Sequence, residues 1–297
     1  MRLPPGLSFI VAALVWTVGG LLFDREGVPR QRGPATESRP PPTQQFIPAP
    51  SQRGRGRTLP EISRFDPEIP VKWDSGRGGN ATGTAFPVSS KGIWLTARHV
   101  VDGCAKVGLF SDPKARKGFW VSGVDVHPNA DIAVLRTRRA PPAIAVRSLS
   151  EKLKIGQDGF HFGYPMGKPG DLTTQLIGRR KLRKVGGRSF VEPAIAWAVT
   201  HQTPRLDRLG GISGGPVLDG QGRVIGVTVA GNIRRGRVIA SAPGTIHQTL
   251  RNAGVRLDGR PSAGVSGTSL NPRGYPAHGS RLRGQLSVAK VFCKGKS

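Results

Sequence analysis

Acidic residues are scarce in this chain. Eighteen Asp and Glu stand against 45 Lys and Arg, for a formal charge of +27. Such an excess draws a protein toward anionic lipid, cell-wall polymer or nucleic acid. Aromatic residues are also sparse, at 6%. They do not interleave with the basic residues, and no reading helix is visible, which argues against nucleic acid as a partner. Cysteine is nearly absent: Cys104 and Cys293 are the only two. No Cys/His spacing resembles a zinc site, so neither a metal nor a cofactor is expected. In an oxidising compartment the two cysteines could pair and staple the tail to the first half of the chain; otherwise they are two separate buried thiols.

Long apolar runs are lacking too, with one exception, Leu7 to Phe23. It is short for a spanning helix of about 20 residues and long for a signal h-region of roughly 7–15. No small-x-small cleavage site precedes Asp24, so residues 1–24 are read as a signal anchor, with a cleaved signal peptide as the alternative. Arg25, Arg30 and Arg32 follow the run and favour the opposite orientation by charge counting. Residues 25–60 hold Pro29, Pro34, Pro40, Pro41, Pro42, Pro48, Pro50 and Pro60 and form an extended linker with too little apolar surface for a core.

The globular part is expected over 61–254. Strand signals recur at Ile69–Trp73, Gly83–Val88, Ile93–Ala97, Ala105–Phe110, Gly118–Val126 and Asp131–Arg136. After Pro141-Pro142 a second series covers Gly159–Tyr164, Leu172–Leu182, Phe190–Thr203, Gly215–Leu218, Arg223–Ala230 and Val238–Ala240. Turn signals such as Ser89-Ser90-Lys91-Gly92 and Asp219-Gly220-Gln221-Gly222 separate them. Short strands at this spacing predict an all-β barrel or sandwich in two halves. Only Gly244–Asn252, with Ile246 and Leu250, reads as a helix. Residues 255–297 form a basic Gly/Ser-rich tail with a possible terminal strand ending at Cys293. The basic run Arg179-Arg180-Lys181-Leu182-Arg183-Lys184 lies inside the folded part and reads first as a solvated surface.

Three stretches carry chemistry. In Gly210-Gly211-Ile212-Ser213-Gly214-Gly215-Pro216 a serine sits among glycines that permit a tight turn and close approach of the backbone to a ligand. Such a turn can aim consecutive N–H groups at one point, as an oxyanion hole requires. The serine becomes a nucleophile only if a base takes its proton. Thr96-Ala97-Arg98-His99 follows a buried strand and supplies that base, and Asp131-Ile132-Ala133-Val134-Leu135 opens a strand with a carboxylate. The patterns T-A-x-H, D-I-A-L/V-L and G-x-S-G-G-P, in the order His99, Asp131, Ser213, resemble those of the trypsin/chymotrypsin-type serine proteases, and most of all the bacterial trypsin-like peptidases with the HtrA-like and glutamyl endopeptidase groups. The resemblance spans roughly residues 75–245.

It implies two six-stranded antiparallel β-barrels with the active site in the cleft between them and a short closing helix. It also implies a serine endopeptidase acting on protein or peptide substrates, placed in the bacterial cell envelope, periplasmic or extracytoplasmic and anchored by residues 7–23. Ser213 would attack, His99 would move the proton and Asp131 would orient the imidazole. The N–H groups of Gly211 and Ser213 would hold the oxyanion. Asp125 is the rival acid. His127, His161, His201 and His247 are read as structural, with His201 a possible wall of the specificity pocket. Asp207 and Gly231 are candidate substrate-binding residues; Asp207 could equally form a surface ion pair with Arg205 or Arg208. Two departures stand out. Ile212 replaces the aspartate of the zymogen-activated members, so the oxyanion hole should be preformed. Arg98 replaces a small residue, with its charge expected at the cleft rim or in solvent. No PDZ-like segment follows the protease part. The alternative function is an inactive protease-like module that binds the envelope through its basic tail.

Overall fold

The structure, a computed structural model, describes residues 55–72, 80–110, 118–186, 189–256 and 269–295. The expected membrane segment at 7–23 lies outside the described residues. Among the described residues no helix is long and apolar enough to cross a membrane.

The architecture is all-β, in two sheets. The chain enters through β1 (Glu68–Val71) and then builds β2 (Ala81–Ser89), β3 (Ile93–Thr96), β4 (Cys104–Phe110), β5 (Gly118–Trp120), β6 (Gly123–Val126) and β7 (Ala133–Arg136). A one-turn helix, α1 (Arg98–Val101), follows β3. The second half contributes β8 (Asp158–Gly163), β9 (Gly170–Lys184), β10 (Phe190–Thr203), β11 (Pro216–Leu218), β12 (Val224–Asn232) and β13 (Arg237–Ser241). Helices α2 (Pro243–Asn252) and α3 (Tyr275–Gly284) and strand β14 (Ala289–Gly295) complete it.

The second-half strands run in the order β9-β10-β13-β12-β11-β8, and β8 also pairs with β9, so six strands close into a barrel. Long β9 makes this possible. Its first part pairs with β8, its last part accepts β1 in parallel, and β10 runs beside it throughout. The first sheet has the order β5-β4-β14-β2-β3-β7-β6. It differs from the expected second six-stranded barrel in being a curled half-barrel of seven strands. The reason is that β5 and β6 remain edges, while β14 from the far end of the chain is inserted between β4 and β2.

Hydrophobic pattern explains why these segments pack as they do. Ile132 to Leu135 are fully buried, because β7 lies between β3 and β6 with both faces covered; a near-continuous apolar run is what such a position needs. Phe86, Leu95 and Ile132 of the first half share one core with Phe160, Phe162 and Leu218 of the second, and with Ile246, Leu282 and Val288 of the C-terminal elements. Each such side chain contributes about 1.5–3 kcal/mol by leaving water. Helix α2 starts at Pro243, which suits a first helical position, and buries Ile246 and Leu250 as its spacing implied. Helix α3 was not expected. Its Gly, Pro and Arg content reads as tail, but Tyr275, His278 and Leu282 are buried and Arg283 forms a bidentate pair with Asp171 of β9, at 2.5 and 2.8 Å. Cys104 and Cys293 form a disulfide with Cα atoms 5.5 Å apart, joining the start of β4 to β14.

Candidate active site

The one-turn helix α1 follows β3 directly and presents His99 beside the loop that opens β7. Asp131 in that loop holds His99 twice. The His99 backbone N–H donates to Asp131 Oδ1 at 2.8 Å, and Nδ1 lies 2.6 Å from Oδ2. Against a buried carboxylate, Nδ1 is the protonated nitrogen, which leaves Nε2 as the basic one. The Asp131 side chain is 1% exposed and that of His99 17%. Asp125 is not the partner: it lies exposed on β6 and takes Arg136 Nε at 2.8 Å. Arg98 neither rims the cleft nor points to solvent. Its guanidinium bonds Asp102 Oδ2 at 2.9 Å and the carbonyls of His127 and Pro128 at 2.9 and 3.2 Å, so it clamps the acid-bearing loop onto α1.

The nucleophile loop comes from the other half and is tied across the seam by Thr84 of β2. The Thr84 N–H donates to the Ser213 carbonyl at 2.8 Å. Its hydroxyl donates to the Gly211 carbonyl at 2.8 Å and accepts from Tyr164 N–H at 3.1 Å. The Thr84 carbonyl in turn accepts the hydroxyl of Thr96, at the end of β3, at 2.7 Å. One fully buried threonine thereby fixes the serine loop against the strand that leads to His99. Two glycines are obligatory here. Gly211 (φ 97°) would place a Cβ 2.5 Å from the Tyr164 carbonyl oxygen, and Gly214 (φ 87°) would place one 2.1 Å from that of Thr84.

The same loop prepares two donors. The Gly210 carbonyl accepts Met166 N–H at 2.5 Å and the Ile212 carbonyl accepts Gly215 N–H at 2.9 Å. Because a trans peptide sets its N–H opposite its C=O, the N–H groups of Gly211 and Ser213 point away from those contacts. Among the described residues neither N–H takes a partner, nor does the Ser213 hydroxyl. Catalytic bonds between a serine and its base commonly tighten only when substrate binds.

Comparison with known proteins agrees with this geometry. Residues 83–227 match the family model described as trypsin-like peptidase domain. Over those residues the chain is similar to trypsin-like peptidases. A probable periplasmic serine endoprotease, DegP-like, of Chlamydia trachomatis is 29% identical over 201 residues, covering 64% of this chain and 37% of that protein. Serine protease Rv3671c of Mycobacterium tuberculosis is 32% identical over 145 residues, covering 49% and 35%. The chain thus spans little more than a third of the length of these curated relatives. Among solved structures, the active form of the Rv3671c protease aligns with a TM-score of 0.49 at 20% identity, over 68% of this chain and 96% of that one.

The other sequence candidates occupy separate places. Asp207 is exposed on the loop before Ser213 and makes no ion pair among the described residues, so the expected pair with Arg205 or Arg208 is absent. Gly231 lies on β12 opposite Val238, and a Cβ there would meet Leu209 Cδ1 at 2.6 Å. His201 is exposed and its Nδ1 lies 3.1 Å from Thr173 Oγ1. His247 Nε2 lies 3.0 Å from the Arg147 carbonyl. His127 Nδ1 accepts Asn129 N–H at 3.1 Å. His161 is fully buried between Thr228 Oγ1 and Thr174 Oγ1, each at 3.0 Å, and burial pushes its imidazole down to about 3. Among the described residues no acidic, histidine and cysteine side chains group as a metal site would require.

Two residues that the sequence reading passed over belong to this site. Thr84 is one. Glu192 of β10 is the other, accepting Asp131 N–H at 3.0 Å. Both are polar residues flanked by apolar stretches of their strands, and that misfit is the signal that could have exposed them.

Proposed function

We propose that this protein is a serine endopeptidase that cleaves protein or peptide substrates through an acyl-enzyme. The observation that carries this reading is the double hold of Asp131 on His99, facing a strand-anchored serine loop with two unpartnered N–H donors. Ser213 Oγ attacks the peptide carbonyl while His99 Nε2 takes its proton and later delivers it to the leaving amine. Asp131 keeps the imidazole in the reactive tautomer and stabilises its cation. Gly211 and Ser213 N–H groups hold the oxyanion, and losing one such donor costs roughly 3–4 kcal/mol of transition-state binding. Water then releases the acyl group by the same route in reverse. The test is labelling with a fluorophosphonate probe: wild type should gain one adduct on Ser213 and Ser213→Ala none. An unlabelled wild type that also cleaves no peptide library would overturn the reading.

Asp207 and Gly231 are proposed to shape the pocket for the substrate side chain. An Asp207→Ala enzyme with an unchanged cleavage profile would remove Asp207 from it. The location proposed is the bacterial cell envelope, outside the cytoplasm, with residues 1–24 as the anchor, 25–60 as a spacer and the peptidase domain after it. The disulfide supports this, since such bonds persist in oxidising compartments, and so do the names of the DegP-like relatives. Fractionation of cells, with N-terminal sequencing of the mature chain, decides between anchor and cleaved signal. The basic surface is proposed to rest against anionic envelope polymer; salt-insensitive retention of Ser213→Ala protein on such polymer, or none at all, would count against that.

A further inference from the structure

Behind the catalytic acid stands a second carboxyl group that the triad chemistry does not use. Glu192 lies on β10 of the closed barrel and is 1% exposed. Its Oε1 reaches across the seam to accept the backbone N–H of Asp131 at 3.0 Å. Its Oε2 lies 3.4 Å from Ser241 Oγ on β13. Asp131 meanwhile spends both carboxylate oxygens on His99. The loop carrying Asp131 is thus held from the first sheet by Arg98, through the carbonyls of residues 127 and 128, and from the second barrel by Glu192 alone among these polar contacts.

A buried carboxyl is an expensive way to accept one N–H bond. An apolar residue on β10 would pack without that cost, but it would leave Asp131 N–H buried and unpaired. Burial, together with the neighbouring Asp131 carboxylate, pushes the Glu192 carboxyl well above the usual range, favouring the neutral acid. A neutral acid still keeps a carbonyl-like oxygen for the Asp131 N–H. It adds no second full negative charge behind the Asp131–His99 pair.

We propose that Glu192 is a positioning residue for the triad: it acts as an acceptor from the opposite barrel, fixing the Asp131 backbone and so the alignment of His99 on Ser213. This rests on the endopeptidase reading above and deepens it. The useful feature of Glu192 is then its reach and its acceptor oxygen, not its charge.

Three variants separate these properties in the full-length protein. Glu192→Gln keeps reach and acceptor and removes the ionisable group; Glu192→Asp keeps the acid but is one methylene too short; Glu192→Leu keeps only bulk. The measurements are kcat and KM on a cleaved peptide, the fluorophosphonate labelling rate, and Tm. The expected result is kcat within about threefold of wild type for Gln, but lowered about 10–100-fold for Asp and Leu with KM nearly unchanged. Labelling rates should fall in parallel with kcat. A purely structural role would instead lower Tm in all three without splitting kcat from KM. An active Asp variant beside an impaired Gln variant would show that charge matters and overturn the proposal, as would full activity in Leu. If Leu does not fold, the Gln and Asp pair still decides. Failure of the underlying reading looks different: wild type and Ser213→Ala would then be equally inactive and equally unlabelled.

Discussion

At the scale of single residues, the site spends its polar groups on holding others in place. The two bonds from His99 to Asp131 Oδ1 and Oδ2 define both the ring's orientation and its tautomer. Asp131→Asn keeps the shape but offers an amide N–H to one of those positions, which favours the wrong tautomer. Steady-state kinetics should therefore show kcat lower by about 10³–10⁴-fold with KM little changed; a loss under tenfold would mean that Asp131 does not orient the base. His161 gives a second, independent expectation. Its folded-state pKa is depressed from the ordinary 6.5 to about 3 by burial. The unfolded chain therefore takes up a proton near 6.5 that the folded chain refuses. Its contribution to stability is complete above that pH and is lost as pH falls toward 3, at up to about 1.4 kcal/mol per pH unit, with no further loss below. Replacing it by Gln, which can still bond Thr174 and Thr228, should flatten the difference in urea midpoint between pH 6.5 and 4 relative to wild type. An identical acid response in both proteins would remove His161 from the account.

At the scale of elements, the sequence was most legible where local pattern and final environment agree. The strands after Pro141-Pro142, the turn at Asp219–Gly222 and the helix near 244–252 all lie where alternation, glycine and spacing put them. It was least legible in the tail. Helix α3 has few apolar residues and owes its place to a partner 112 residues away, the Asp171 carboxylate that receives Arg283; no local pattern announces such a pair. Strand β14 shows an apolar run, yet nothing in that run says that it enters the middle of the first sheet, between β2 and β4. The cysteines do encode this, since Cys104 and Cys293 are joined across 189 residues. Cross-linking so long a loop restricts the unfolded chain strongly. The Cys104→Ala/Cys293→Ala protein should lose about 2–5 kcal/mol of stability, read from denaturant melts. Deleting residues 289–297 should cost more than losing the bond, because it also strips β4 and β5 from the sheet. A truncated protein as stable as the double alanine variant would show that β14 is dispensable.

At the scale of the whole molecule, the proposed triad is a property of the seam. His99 and Asp131 come from the curled first sheet and Ser213 from a loop of the closed barrel, and the motif order alone announced that division. The ties that hold the division in register were not announced. Thr84 to Gly211 spans 127 residues and Asp131 to Glu192 spans 61. Each is a fully or nearly fully buried polar residue on a strand, meaningful only once the strand opposite is known. Charge is the other property of the whole. A formal +27 gives the protein a positive field that reaches about 10 Å at 0.1 M salt and about 3 Å at 1 M. Such a field raises the encounter rate of anionic partners and leaves neutral ones alone. For two peptides with the same cleavage site, one flanked by Glu and one by Gln, kcat/KM should favour the acidic peptide several-fold at 20 mM salt. The advantage should vanish near 500 mM, with kcat unaffected throughout, because steering acts on association and not on the acyl-transfer step. Equal salt slopes for the two peptides would mean that the basic residues lie too far from the cleft to guide substrate, and that their field serves some other surface of the protein.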